Sequence, residues 1–140
     1  MTAKEYLSQI RVLDTKINQR LRQQEELKEI IYSVSSINTE DEKVKGGVKN
    51  SYNKIDKYID MEQEIDNIID EFVDLKNKII WEIHQLKNPL FLDILYKKYV
   101  EFKTLELIAV EMNYNYNYVR RKHGEALKYF DKIILTGNTK

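Results

Sequence analysis

Apolar residues recur at alternating steps of three and four through two long stretches of this chain, and almost nothing in either stretch would end a helix. In the first they are Ala3, Tyr6, Ile10, Leu13, Ile17, Leu27, Ile31 and Val34, with Arg20 and Gln24 in the two intervening slots and Leu7 and Leu21 widening the stripe. In the second they are Ile55, Tyr58, Ile65, Ile69, Phe72, Ile79, Ile83 and Leu86, with Glu62 and Lys76 in the interrupted slots. This spacing is a heptad seam and predicts two long amphipathic helices. The first would run roughly 50 Å at 1.5 Å per residue, too long for one small globule to cover, so it must pair with something. Residues 35–50 are polar, lack the period and contain Gly46 and Gly47, which predicts a flexible connecting loop. The single proline, Pro89, follows Asn88 at the end of the second seam and suits the first position of a further helix with Asn88 as its cap.

Two long helices joined by one loop suggest an antiparallel hairpin, and charge gives an independent check. From Asp60 to Asp74 there are seven acids and no base. Folding about residue 43 sets Lys16 near Asp70, Arg20 near Asp66, Arg22 near Glu64, Ile17 beside Ile69 and Ile31 beside Ile55. Apolar and charged partners thus agree on one register. The competing arrangement is a homodimeric parallel coiled coil through the first helix, with Arg20 and Gln24 setting register. The acidic ladder Glu62, Asp66, Asp70, Asp74 reads first as a solvated or opposed face and second as a docking surface for a basic partner; a carboxylate metal site has no loop to converge it.

The sequence carries 23 basic and 23 acidic residues, so any affinity for nucleic acid must come from local asymmetry. The absence of cysteine excludes a disulfide scaffold and a thiolate metal site. No run reaches membrane-spanning length and the first residues lack the pattern of a secretory leader, so the expectation is a soluble cytoplasmic protein without membrane contact. His84 and His123 fall in separate helices, and no phosphate loop, nucleophile elbow or histidine–carboxylate motif is present. No catalysis, metal or cofactor is expected.

The last third, from Thr104 to Phe130, has the spacing of a helix-turn-helix. Ahead of it, Leu92, Leu95, Tyr96 and Tyr99 predict one apolar face of a first helix over 89–102. Thr104 caps a helix Leu105–Met112 in which the small Ala109 lets a neighbouring backbone approach. Asn113 stands where the turn requires positive φ, Tyr114 is expected to plug the space between the two helices, and Asn115 caps the next helix. On that helix Val119, His123, Ala126 and Phe130 fall within about 40° of Val119 and form the buried side. Asn117, Arg121 and Lys128 point the opposite way beside Gly124. The segment from Asn115 to Phe130 holds four bases against Glu125 alone, whereas 51–88 holds five bases against nine acids.

That outward face fits the major groove of double-stranded DNA. Asn117 and Arg121 have the bidentate donors and acceptors that read base edges. Asn115, Tyr116, Tyr118, Arg120, Lys122 and Lys128 suit the phosphate backbone. Gly124 either permits close approach to DNA or is simply tolerated.

Pro89, Leu95, Tyr99, Leu105, Glu106, Ile108, Ala109, Met112, Val119, Arg120, Arg121, Ala126 and Leu127 form a skeleton that resembles region 4 of sigma-70-type RNA polymerase sigma factors, over about a third of the chain. The whole chain is similar to the small phage-encoded proteins of Gram-positive hosts that carry such a C-terminal domain, including the ArpU-like transcriptional regulators. The resemblance implies promoter-proximal DNA binding and transcription control, with RNA polymerase as a candidate second partner. The chain departs from the sigma pattern at Asn113, where glycine is usual, at Val100-Glu101-Phe102, where a glycine-containing turn is usual, and in lacking a region 2.

The combined expectation is an all-α protein. Residues 1–87 form a helical hairpin or coiled coil for oligomerisation or partner binding, 88–132 form the helix-turn-helix domain, and 133–140 form a tail. Its leading function is sequence-specific transcriptional regulation. The alternatives are a small terminase-like DNA-packaging subunit and an interaction protein that binds polymerase but not DNA.

Overall fold

The computed structural model describes residues 1–38 and 45–137, and they build an all-α chain with no strand among them. Helix α1 spans Ala3–Asn38 and α2 spans Lys45–His84. After them come α3, Pro89–Leu95, continued by a π-helical turn Tyr96–Val100; α4, Leu105–Met112; and α5, Tyr116–Phe130, continued by a second π-helical turn Asp131–Leu135. The helices encroach on the expected loop at 35–50 from both sides, since 35–38 end α1 and 45–50 begin α2. A helix already nucleated adds residues at low cost, and neither flank contains proline. What remains of the loop expectation, 39–44, lies outside the described residues, as do 138–140 of the expected tail.

The chain divides into two compact units, one holding 13–71 and the other holding 1–12 with 72–140. The expected boundary at residue 88 falls at the N-cap of α3, four residues after α2 ends at His84. The unit containing the helix-turn-helix also takes in the first residues of α1 and the last three turns of α2.

In the unit 13–71 the two helices run antiparallel and are thinly packed. Leu13, Ile17 and Ile65 are its buried apolar side chains among the described residues. Arg20 Nη2 meets Glu64 Oε1 at 3.2 Å, so Arg20 takes the carboxylate expected for Arg22. Arg20 occupies a seam slot, and its long stem carries the guanidinium out along the apolar contact to the partner helix. The expected pairing of Ile31 with Ile55 is met, because both line one shallow groove with Lys28, Tyr32 and Tyr58. Leu21, expected to widen the seam, is exposed. A wider groove of about 720 Å³ is walled by Lys16, Arg20, Arg22, Glu26, Glu64 and Glu71, charged side chains whose stems leave the seam open to water.

The other unit has two apolar clusters. The larger joins Ala3, Leu7 and Ile10 to Ile79, Ile83 and Leu86, and these to Leu95, Tyr99, Val100, Ala126, Phe130 and Ile134. The smaller, Ile94, Ile108, Ala109 and Val119, sits among α3, α4 and α5. The expected face Leu92, Leu95, Tyr96, Tyr99 is only partly the observed one. Ile94, Leu95, Tyr99 and Val100 are buried, while Leu92 and Tyr96 are half-buried. The π turn, closed by Glu101 N–H donating to Tyr96 O at 3.1 Å, inserts one residue and rotates the face so that adjacent Tyr99 and Val100 both turn inward. Within the larger cluster Glu82 is buried and accepts a hydrogen bond from the Tyr6 hydroxyl. Burial, and then the Glu82 carboxylate, push the Tyr6 phenol above its usual range.

Candidate nucleic-acid interface

Local chemistry sets each boundary of the helix-turn-helix. Asn88 Oδ1 accepts from Leu90 N at 3.0 Å and from Phe91 N at 3.3 Å, with Pro89 at the first helical position of α3. Thr104 Oγ1 accepts from Leu107 N at 3.2 Å and starts α4. Asn113 ends it in the left-handed region at φ 58°, ψ 39°, as the turn requires, and Tyr114 N–H donates to Ala109 O at 2.9 Å. Asn115 Oδ1 then accepts from Asn117 N at 2.8 Å and opens α5. Each cap satisfies backbone donors that the first turn of a helix leaves without an internal partner.

Glu111 ties α4 to the end of the preceding helix. Its carboxylate lies 2.9 Å from Lys97 Nζ and 3.0 Å from Lys103 Nζ, and Lys103 also reaches Glu101 at 3.5 Å. These partners hold the Glu111 carboxyl below its ordinary value and Lys103 above its own. Between Glu101 and Lys103 stands Phe102 with φ 59°, a left-handed residue with a large side chain. Such a conformation costs about 1–2 kcal/mol relative to glycine. Its ring packs against the larger core cluster beneath the guanidinium of Arg11, 5.7 Å from the ring centre.

The inward side of α5 follows the expected pattern at Val119, Ala126 and Phe130, all fully buried. His123 is half-buried, stacked on Tyr99 with Nε2 2.8 Å from the Tyr99 hydroxyl. Burial first, and then the charges of Lys98 and Lys4, lower the His123 pKa to about 4. Burial also pushes the Tyr99 phenol up to about 12. Near neutral pH, therefore, the tyrosine donates and a neutral imidazole accepts.

Tyr114 does not plug the interhelical space. It is 45% exposed, and its ring lies 4.9 Å from that of Tyr118. Ile94, Ile108, Ala109 and Val119 already fill that space, and the left-handed turn at Asn113 carries the next side chain outward. Ile94, on α3, was the part of this core that the helix-turn-helix spacing did not disclose, although its apolar character was available.

On the outward side, Asn117, Arg120, Arg121 and Lys128 are exposed, as are Asn115 and Tyr116. No carboxylate pairs with Arg120, Arg121 or Lys128 among the described residues. The acid on this helix, Glu125, is occupied by Lys122 at 3.0 Å. Tyr118 is half-buried and holds cations against its ring, with the Arg121 guanidinium 5.6 Å and the Lys122 ammonium 5.5 Å from its centre. Asn117, Arg121 and Lys128 thus share the face of α5 opposite Val119, while Tyr116 and Arg120 lie on one flank of it and Tyr118 and Lys122 on the other, with Asn115 partly committed to capping and Lys122 to Glu125. Gly124 has nothing within 4 Å of the position a Cβ would take, so no packing inside the protein explains the glycine.

No group of three or more metal-ligating side chains occurs among the described residues. No described helix is long and apolar enough to cross a membrane. Comparison with known proteins finds no family model, no curated protein and no solved structure that matches this chain.

Proposed function

We propose that this chain is a sequence-specific DNA-binding transcriptional regulator, of the small phage or prophage type, that reads the major groove with α5. The observation that carries the reading is the two-sidedness of α5. Val119, Ala126 and Phe130 are fully buried on one side, while Asn117, Arg121 and Lys128 stand exposed and without a carboxylate partner on the other. A recognition helix needs this combination, because the inward side fixes its angle and the outward side must meet base edges and phosphates.

Arg121 and Asn117 supply the base contacts, arginine to guanine and asparagine to adenine. Tyr116, Tyr118, Arg120, Lys122, Lys128 and the capped start of α5 at Asn115 engage phosphates. Lys122 must loosen its pair with Glu125 to do so. The long helices α1 and α2 serve as a handle for self-association or for a protein partner such as RNA polymerase, and a dimer would match paired half-sites.

Fluorescence anisotropy on duplex DNA at several salt concentrations tests this. Wild type binds with an affinity that falls steeply with salt. Arg120→Ala and Lys128→Ala each flatten the slope by about one, and Asn117→Ala with Arg121→Ala removes sequence preference. Binding unchanged by the Asn117 and Arg121 pair removes the recognition-helix assignment.

A further inference from the structure

The surface away from the outward side of α5 carries a small basic cavity of about 150 Å³, lined by Lys4, Ser8 and Arg11 of α1 and by Lys98, Tyr99 and Phe102. Three cationic side chains, Lys4, Arg11 and Lys98, are among the six that line it. None of them forms an ion pair among the described residues, and the nearby acid Glu101 is held by Lys103 at 3.5 Å. Lys98 and Lys4 stand near enough to His123 for their charges to help lower its pKa. Arg11 is oriented over the Phe102 ring, and Phe102 holds that ring in place from a left-handed backbone. Strain of this kind at a non-glycine residue concentrates at ligand clamps. A planar guanidinium fork, two ammonium groups and the Ser8 hydroxyl form the donor set that recognises a tetrahedral oxyanion.

We propose that the cavity framed by Lys4, Arg11 and Lys98 binds a phosphate-sized dianion, either free orthophosphate or the phosphate end of a small monoester. Size limits the choice. Pockets that enclose a drug-sized molecule run from about 300 to 1,000 Å³, so this one takes a phosphate group and leaves any attached carbon skeleton outside. Position separates it from the DNA face, because Tyr99 lines the cavity and stacks on His123, which lies about 160° around α5 from Arg121. The inference does not depend on the DNA reading.

The test is a nitrogen-15 correlation titration of the full chain at pH 7 with sodium phosphate, ionic strength held constant with sodium chloride. The expected result is saturable, millimolar shifts centred on Ser8, Arg11, Tyr99 and Phe102. They should weaken at least tenfold in Arg11→Gln with Lys98→Gln and, should that variant unfold, at least threefold in Lys4→Gln, which alters only an exposed side chain in the first turn. Phosphate should also raise the melting midpoint above that in isoionic chloride in wild type and not in the variants. Glycerol 3-phosphate moving the same residues identifies a monoester ligand, whereas orthophosphate alone doing so identifies the free anion. Absence of saturation, shifts that persist in the variants, or shifts produced by duplex DNA and by neither small anion would overturn the proposal.

Discussion

The α4–turn–α5 region and the helical hairpin at 13–71 are both amphipathic helices, yet they are determined to different degrees. Around α5 each of α3, α4 and α5 starts at a polar side-chain cap, and the core is filled by nine fully or nearly fully buried apolar side chains from Leu95 to Ile134. Along 13–71 the buried apolar side chains among the described residues are Leu13, Ile17 and Ile65, and seam residues such as Leu27, Ile31 and Ile55 remain half-buried or exposed. Periodicity alone produces a long helix. A fixed position for its side chains needs interlocking neighbours from a third element, which α3 provides for α4 and α5.

The comparison predicts unequal responses to truncation. Phe130→Ala should cost about 3–5 kcal/mol and melt the unit that contains it, whereas Ile31→Ala on the half-buried seam should cost under about 1 kcal/mol in urea denaturation. Equal costs would mean that the seam is as well packed as the C-terminal core.

Acid should act on the C-terminal region through His123. The folded pKa, about 4, lies below the ordinary 6.5, so the unfolded chain takes up a proton that the folded one refuses. Its contribution is complete above pH 6.5 and is lost as pH falls towards 4. The loss is on the order of 1–2 kcal/mol once partial solvent screening is allowed for. Lys98 and Lys4 oppose the protonated ring, and Tyr99 offers it a hydroxyl acceptor. Melting curves of His123→Gln should lack this component, and an unchanged acid slope would assign it to carboxylates instead.

The caps should rank next. Asn115→Ala should cost about 1 kcal/mol and fray the start of α5, visible as faster amide exchange at Asn117. The smallest effect belongs to the hairpin. A double-mutant cycle on Arg20 and Glu64, both substantially exposed, should give a coupling of about 0.2–1 kcal/mol that shrinks with salt. A larger, salt-insensitive coupling would make that pair a determinant of register.

The same contrast explains what could be read in advance. The limits of α4 and α5, the caps at Asn88, Thr104 and Asn115 and the left-handed Asn113 were legible because each depends on a few adjacent residues. Tyr114, the π turn at Tyr96–Val100 and the Tyr99–His123 pair depend on what arrives from other helices, and no local residue announces them. Arg20 choosing Glu64 over Asp66 is a shift of two positions on a charged face, which periodicity does not resolve. The Tyr118 ring beneath Arg121 and Lys122 follows from i+3 and i+4 spacing, a contact distinct from the phosphate hydrogen bond or the packing on the first helix that the sequence suggests for it.

The central claim is that α5 selects bases, and selection from a random duplex pool measures it most directly. Wild-type protein should enrich one defined short motif, possessing a guanine or adenine whose identity is lost in Arg121→Ala or Asn117→Ala respectively, while both variants keep the wild-type circular dichroism. A pool that stays random with folded protein, or a motif that survives both substitutions, would contradict the account.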